Sequence, residues 1–258
     1  MRVRSLAFLA FCLYAASFVA AADKPAAEKP AAAKPAATKP AAPHPDTLQE
    51  TAPKLPPKEG KRETLNLFNG KDLEGWIGHK DKYWSVENGE IVGRNKEPIA
   101  VSTYLLTERK FSDFRLVFDS MLAESEMHSG VAMWGRVAPE RGDPYTYAGH
   151  LVMFPSNYGF YDLYGRNLIH NNAEAAKAVG KQHDWNHMEI LAQVNRIRFV
   201  LNGKLISDWR EPLPERINEA PIGLQLHSNR VPQEVRFKNL SLETFPEDRL
   251  VTVKPGGS

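Results

Sequence analysis

The stretch Ile197-Arg198-Phe199-Val200-Leu201-Asn202-Gly203-Lys204-Leu205-Ile206 decides the fold class. Apolar residues on both sides of an Asn-Gly pair predict two strands joined by a tight turn, because both turn residues tolerate a positive φ. The segment from Trp84 to Val92 repeats this pattern around Asn88-Gly89, and Asn69-Gly70 marks a third turn of the same kind. The pattern predicts antiparallel β-structure.

Further strands are predicted at 114–118, 131–137, 150–154, 159–164, 185–192, 222–227 and 235–242, where apolar side chains recur at alternate positions. In the segment 222–227, Gln225 and His227 face away from the apolar side chains. One short helix is predicted from Ala173 to Val179, with Asn172 as its cap. Many strands separated by turns, with little helix, predict an all-β sandwich or jelly roll.

The amino terminus has the features of a secretory signal peptide over residues 1–22: Arg2 and Arg4, the apolar run 6–19, and the small residues 20–22. The apolar run is shorter than the roughly 20 residues of a membrane span, although a retained signal anchor is the alternative. The only cysteine, Cys12, lies in this run. The cleaved chain would therefore have no disulfide and no thiolate metal ligand. We expect a secreted, periplasmic or cell-envelope protein.

Residues 23–61 form a lysine-, proline- and alanine-rich segment that begins with repeats of the type Lys24-Pro-Ala-Ala-Glu. A proline in every repeat interrupts helix, so we expect a disordered, extended spacer. It could associate the domain with the cell envelope, or it could be an inert leader. Residues 62–253 then form one domain. Removal of Arg2 and Arg4 takes the net charge from +2 to 0, which gives no electrostatic reason to expect nucleic acid as a partner.

Eight motifs occur in the order that is typical of one family. They are 67–76 (LFNGKDLEGW), 84–93 (WSVENGEIVG), 111–118 (FSDFRLVF), 128–131 (HSGV), 185–186 (WN), 201–203 (LNG), 222–227 (IGLQLH) and 235–240 (VRFKNL). Together they cover about 64–244, and the chain resembles the 3-keto-disaccharide hydrolase domain family. The resemblance implies a concanavalin A-like jelly-roll β-sandwich of two antiparallel sheets, in an extracytoplasmic protein that acts on carbohydrate. Two departures are His128 in place of an asparagine and Tyr147-Ala148-Gly149-His150 in place of Tyr-Glu-x-Gln.

Two kinds of cleavage chemistry are open to such a protein. Ordinary glycoside hydrolysis needs two carboxyl groups, for which the candidates are Asp119, Glu126, Asp143, Asp162 and Glu189. The resemblance implies a different route, in which a ketone at carbon 3 acidifies the hydrogen at carbon 2 so that a general base can expel the glycosidic oxygen. A carbohydrate-binding module without activity, or a structural envelope protein, is the alternative.

We predict His227, His150 and Asp162 as catalytic residues, since imidazole changes charge near neutral pH and a carboxylate can act as a base or orient a histidine. Candidates for substrate binding are Gln225, His128, Arg136, Tyr147, Tyr164 and Arg236. Each could instead serve packing or a surface ion pair. The histidines His128, His150 and His227 could together ligate a divalent metal, although their spacing matches no known ligand motif. The enzyme hypothesis in this form requires that His227 and His150 face one cleft.

Overall fold

The structure is a computed structural model that describes residues 52–155, 159–165, 167–170 and 173–256. The predicted signal peptide, most of the predicted spacer and the predicted helix cap Asn172 lie outside these residues. Residues 52–62, at the end of the predicted spacer, have no regular secondary structure. They are nevertheless in contact with the domain, because Asn195 Nδ2 donates a hydrogen bond to the Pro53 carbonyl (2.9 Å).

Fifteen strands and one α-helix lie within the described residues. They are β1 (Glu63–Asn66), β2 (Trp76–Ile77), β3 (Trp84–Glu87), β4 (Glu90–Asn95), β5 (Thr103–Phe111), β6 (Phe114–Glu124), β7 (Ser129–Val137), β8 (Tyr147–Phe154), β9 (Phe160–Asp162), β10 (Asn167–His170), α1 (Ala173–Val179), β11 (Asn186–Gln193), β12 (Arg196–Leu201), β13 (Lys204–Arg210), β14 (Ala220–Leu226) and β15 (Gln233–Thr244). Each strand and the helix predicted from the sequence is present, with small differences at the ends.

The strands form two antiparallel sheets. The larger sheet has the order β13-β12-β11-β6-β15-β4-β3, with β1 also paired to β15, and the smaller sheet has the order β10-β9-β8-β7-β14-β5-β2. The predicted all-β sandwich of two antiparallel sheets is confirmed. No helix within the described part of the chain is long and apolar enough to span a membrane.

The main core lies between the two sheets. Phe114, Leu116 and Phe118 of β6 are fully buried in it, and Ile222 and Leu224 of β14 meet them from the smaller sheet. Burial of large apolar side chains contributes about 1.5–3 kcal/mol each, so this layer is the main stabilising element of a chain without disulfides.

A second, smaller apolar cluster covers the opposite face of the smaller sheet. Tyr104 and Leu106 belong to this cluster, whereas Leu105 between them belongs to the main core. In β8, Leu151 and Met153 belong to the cluster. This alternation follows from the period of two along a strand, and it shows that the outer face of the smaller sheet is partly covered instead of being polar throughout.

Two of the three predicted Asn-Gly turns close hairpins. Asn88-Gly89 joins β3 to β4 and Asn202-Gly203 joins β12 to β13, and both asparagines have a positive φ. The third prediction is wrong, because Asn69-Gly70 lies between β1 and β2, which belong to different sheets. Here the Asn69 side chain accepts hydrogen bonds from the backbone N–H groups of two following residues. That side-chain turn redirects the chain without pairing its flanks.

Candidate functional site

A pocket of about 380 Å³ opens on the outer face of the smaller sheet. Strands β5, β8 and β14 supply its floor, and the segments 100–102 and 227–228 supply its rim together with Arg141 and Thr146. We call it the outer pocket; it is lined by Ala100, Val101, Ser102, Tyr104, His128, Arg141, Thr146, Tyr147, Leu151, Met153, Tyr161, Leu163, Gln225, His227 and Ser228. A volume of this size suits a small polar ligand such as one or two sugar rings.

Two histidines lie against each other in the outer pocket. The imidazole rings of His128, just before β7, and His227, just after β14, are 4.2 Å apart between centroids, at an angle of 62°. Burial lowers the pKa of His128 to about 3, with a smaller contribution from the neighbouring His227. Burial also lowers the pKa of His227, against an opposing effect of the Ser228 backbone. Both rings are therefore neutral at pH 7 and can accept a proton.

Gln225 and Tyr104 form a polar pair on the pocket floor. Gln225 Nε2 donates a hydrogen bond to the Tyr104 hydroxyl (3.0 Å), and both side chains are almost fully buried. Because the hydroxyl oxygen accepts this bond, its own hydrogen is free to point elsewhere. The buried Gln225 Oε1 and His227 Nδ1 have no hydrogen-bond partner among the described residues. Buried polar atoms without a partner are rare in proteins, so this pair of side chains is unusual for a packed sheet face.

Tyr147, predicted as a substrate-binding residue, lines the same pocket, but its hydroxyl group is already used. It donates to the Pro221 carbonyl (2.8 Å) and accepts from the Gly135 N–H (3.1 Å). Burial raises its pKa. The ring of Tyr147 therefore contributes an apolar surface, and its hydroxyl group stabilises the sheet.

Arg141 is the cationic side chain of the outer pocket, and the described part of the chain contributes no carboxylate to the lining. The guanidinium of Arg141 makes no hydrogen bond or ion pair with the described residues. A pocket with a free guanidinium group, neutral imidazoles and no acid favours a ligand or intermediate with negative charge.

The prediction that His150 shares a cleft with His227 is wrong. His150 lies on β8 with the same parity as Val152, so it points into the main core between the sheets and is fully buried. Its ring stacks on Phe160 (5.7 Å), and its Nε2 lies 2.5 Å from a carboxylate oxygen of the equally buried Glu211. The outer pocket and this site are on opposite faces of one sheet, so a mechanism that uses both histidines is excluded.

Asp162 is also on the inner face. It is the strand partner of His150 and is buried, with Oδ2 2.5 Å from the Arg216 guanidinium and Oδ1 accepting from the Tyr164 N–H (2.7 Å). Tyr164, predicted as a substrate-binding residue, lies on the same side, with its ring 6.5 Å from that of His150. These residues form a structural cluster behind the sheet, away from the outer pocket.

The two arginines predicted as substrate-binding residues lie neither in the outer pocket nor in the structural cluster around His150. Arg136 is more than half exposed and pairs with Glu140 (2.5 Å). Arg136 follows a register shift in β7, and this shift removes it from the regular alternation of side chains between the two faces of the strand. Arg236 is on the larger sheet, between Glu90 (2.9 Å) and Glu234 (2.5 Å).

The remaining candidate carboxylates are held by other partners. Among them, Glu189 is completely buried and binds Arg115 and the backbone of 251–252. The others are paired with histidines in Asp119–His187, Glu126–His183 and Asp143–His79. Asp119 and Glu189 lie on the paired strands β6 and β11, but each is held by its own partner, and none of these four carboxylates lines the outer pocket.

A metal site formed by His128, His150 and His227 is likewise excluded, because His150 is on the other face of the sheet. Among the described residues there is no group of three or more histidine, cysteine, aspartate or glutamate side chains that could hold a metal ion.

Two residues of the outer pocket were missed by sequence reasoning. Tyr104 lies in a strand that was not predicted, although the run Thr103–Thr107 (TYLLT), rich in β-branched, aromatic and apolar residues, is typical of a buried strand and could have identified it. Arg141 reaches the pocket from a short 3₁₀ turn, Pro139–Arg141. No local pattern marks it, since only the tertiary fold brings that turn beside β5.

Residues 63–243 match the family model described as the 3-keto-alpha-glucoside-1,2-lyase-like domain. The sequence has no significant match among curated proteins.

Solved structures with a similar fold include two of a candidate glycosyl hydrolase from Parabacteroides distasonis. One is 20% identical, covers 70% of this chain and 99% of that chain, and has a TM-score of 0.51. The other is 21% identical, covers 70% of this chain and 93% of that chain, and has a TM-score of 0.49. A carbohydrate-binding module from Bacillus subtilis is 14% identical, covers 66% of this chain and 96% of that chain, and has a TM-score of 0.43. At 20% identity and a TM-score of 0.51, the likeness to the first of these structures shows a shared fold alone.

Proposed function

Because the chain belongs to the family of 3-keto-alpha-glucoside-1,2-lyase-like domains, we propose that it cleaves 3-keto-glycosides by elimination in the outer pocket. The observation that supports this most is the neutral pair His227 and His128 in a lining without carboxylates. Two-carboxylate hydrolysis has no candidate pair there. Elimination beside a ketone needs one base and a group that stabilises an enolate, and the outer pocket contains both types of group.

His227 is the general base of the proposed reaction. The ketone at carbon 3 of the sugar acidifies the hydrogen at carbon 2, and an imidazole nitrogen of His227 takes that proton. The electron pair of the broken C–H bond moves onto the ketone oxygen as an enolate. The His227 ring suits this task because it lines the outer pocket and because burial keeps it neutral.

Tyr104 and Arg141 stabilise the enolate oxygen. The Tyr104 hydroxyl accepts from Gln225 (3.0 Å), so its hydrogen can be donated to the substrate oxygen. Arg141 adds a positive charge on the same side of the pocket. Groups that are already oriented toward developing charge stabilise a transition state without reorganisation.

The glycosidic bond breaks in the second step. The enolate returns its electrons to form a double bond between carbons 1 and 2, and the glycosidic oxygen leaves with the proton held by His227. The products are an unsaturated 3-keto sugar and an alcohol. Water can then add across the double bond to give the net hydrolysis product.

Turnover of a 3-keto-disaccharide, followed by proton NMR, tests this proposal. The purified chain should form product, and His227→Gln should reduce the rate by at least about 100-fold, the usual effect of removing a general base. His150→Gln is the matched control, because it changes an imidazole on the opposite face of the same sheet. Absence of product with the folded wild-type protein, or equal rates for His227→Gln and wild type, would refute the proposal.

Binding of carbohydrate without cleavage is the second candidate function. Ala148, where the family has a glutamate, supplies no carboxylate, and the apolar floor of the outer pocket could stack on a sugar ring. Calorimetric binding of a glycan that survives His227→Gln, together with no turnover, would establish this alternative.

Export and envelope association belong to the same proposal. We propose that residues 1–22 are removed on export and that residues 23–61 tether domain 62–253 to the cell envelope. Amino-terminal sequencing of the mature protein tests the first point. Fractionation of a variant that lacks residues 23–58 tests the second, since release into the soluble fraction is expected only if the segment tethers the domain.

A further inference from the structure

A second hollow continues from the outer pocket. It has a volume of about 650 Å³, and we call it the side hollow. It shares Ala100 and Ser228 with the outer pocket and extends beyond them to Met127 and Arg230. A ligand that fills the outer pocket can therefore extend across these two residues into the side hollow without leaving the protein surface.

The boundary between the two hollows is well ordered by hydrogen bonds. Ile99 and Asn229 exchange two backbone hydrogen bonds of 2.9 Å. The Ser228 N–H donates to Ser102 Oγ (2.9 Å), and Asn229 Nδ2 donates to Ser125 Oγ (3.2 Å). These bonds join the segment 228–229 to the segment 99–102 and to Ser125, so the groove exists before a ligand binds and little conformational entropy is lost on binding.

The charges along this groove have one sign. Arg141 lines the outer pocket and Arg230 lines the side hollow. These are the only arginines among the described residues whose side chains make no hydrogen bond or ion pair. In the described part of the chain, neither hollow is lined by a carboxylate. Two exposed, unpaired guanidinium groups without neighbouring acids favour anionic groups on a ligand.

We infer that the substrate is an acidic oligosaccharide that extends beyond the cleaved unit, with its leaving-group side in the side hollow. This inference rests on the proposed function for the assignment of the outer pocket to the reacting sugar. The carboxylate-bearing units of such a chain would meet Arg230, whereas a neutral disaccharide would leave the side hollow empty. The ligand class is therefore a uronate-containing glycan.

Calorimetric titration with tetragalacturonate tests the inference, and the methyl ester of the same tetramer serves as a neutral probe of equal length. We expect the acid to bind at least about fivefold more tightly than the ester, and this preference should fall at high salt. Arg230→Gln should weaken binding of the acid by about fivefold, which corresponds to one partly screened ion pair, and should not change binding of the ester. Arg249→Gln, an exposed arginine outside both hollows, is the matched control.

The outcomes separate this inference from the proposed function. Equal affinities for acid and ester, or no effect of Arg230→Gln on the acid, would overturn the inference even if 3-keto-disaccharides are cleaved. An acid preference that depends on Arg230 supports the groove assignment, and it does so even if turnover fails, since turnover is measured on a neutral disaccharide. Binding of galacturonic acid monomer that is as tight as binding of the tetramer would also overturn it, because the side hollow would then contribute nothing.

Discussion

The buried histidine pair makes the stability of this protein depend on pH in a way that can be calculated. Burial lowers the pKa of His128 to about 3 in the folded protein, compared with about 6.5 for an exposed histidine. The unfolded chain therefore binds a proton below about pH 6.5, whereas the folded chain does not. The unfolded state is favoured by this difference, so the free energy of unfolding falls as the pH falls from about 6.5 to about 3, and levels out below that range.

The size of the effect follows from the two pKa values. Between about pH 7 and about pH 5, His128 alone should lower the free energy of unfolding by about 2 kcal/mol. His227, whose pKa is also lowered by burial, changes stability in the same direction. In His128→Asn, which carries the residue that the family usually has there, the loss over this pH range should be smaller than in wild type by about 2 kcal/mol.

Urea unfolding followed by tryptophan fluorescence at the two pH values measures this difference. The comparison uses the change with pH within each variant, so it does not depend on any stability that the substitution itself removes. His183→Gln is the control of opposite sign: hydrogen bonding to Glu126 raises the pKa of His183. The pairing of His183 with Glu126 therefore stabilises the folded protein at low pH, and this stabilisation is lost as the pH rises. If wild type and His128→Asn lose the same free energy between the two pH values, the burial argument is wrong.

Three further predictions concern single side chains. Tyr147→Phe should lower the free energy of unfolding by about 1–3 kcal/mol, because the buried Gly135 N–H loses its partner, and this can be measured by urea denaturation. Tyr104→Phe should lower the free energy of unfolding by about 1–3 kcal/mol, because the buried Gln225 Nε2 loses its acceptor, and in the folded variant it should reduce turnover by at least about 10-fold as the enolate loses a donor; equal rates would argue against this role. Glu189→Ala should destabilise the domain by about 1–3 kcal/mol, since Arg115 keeps its ion pair with Glu243 while the Arg115 Nε and the backbone N–H groups of 251 and 252 lose their acceptor; no change in thermal unfolding would contradict this.

The fold could be predicted from the sequence because its signals are local. The alternation of apolar residues in 222–227 and the Asn202-Gly203 turn each act within a few residues, and both are present as predicted. Asn69-Gly70 is the exception, since its side-chain hydrogen bonds form a turn without strand pairing. A dipeptide preference indicates a turn, but the strands that follow it are chosen by the whole sheet.

The candidate site was predicted only in part because it depends on which face of each strand points outward. Gln225 and His227 were placed correctly by their alternation with core residues in β14. His150 was placed wrongly, because both faces of β8 are buried. Burial alone therefore does not reveal which face of β8 points into the main core. Arg141 comes to the pocket from a turn distant in sequence from β14. Such long-range placement has no signal in a single sequence.

The fate of the hydrogen at carbon 2 tests the central claim, that the outer pocket performs elimination next to a ketone. A 3-keto-disaccharide with deuterium at carbon 2 should lose the label to solvent as the glycosidic bond is cleaved, and the loss should depend on His227. Retention of the deuterium in the cleaved sugar would contradict the account, since it would mean that the bond breaks by ordinary glycoside hydrolysis.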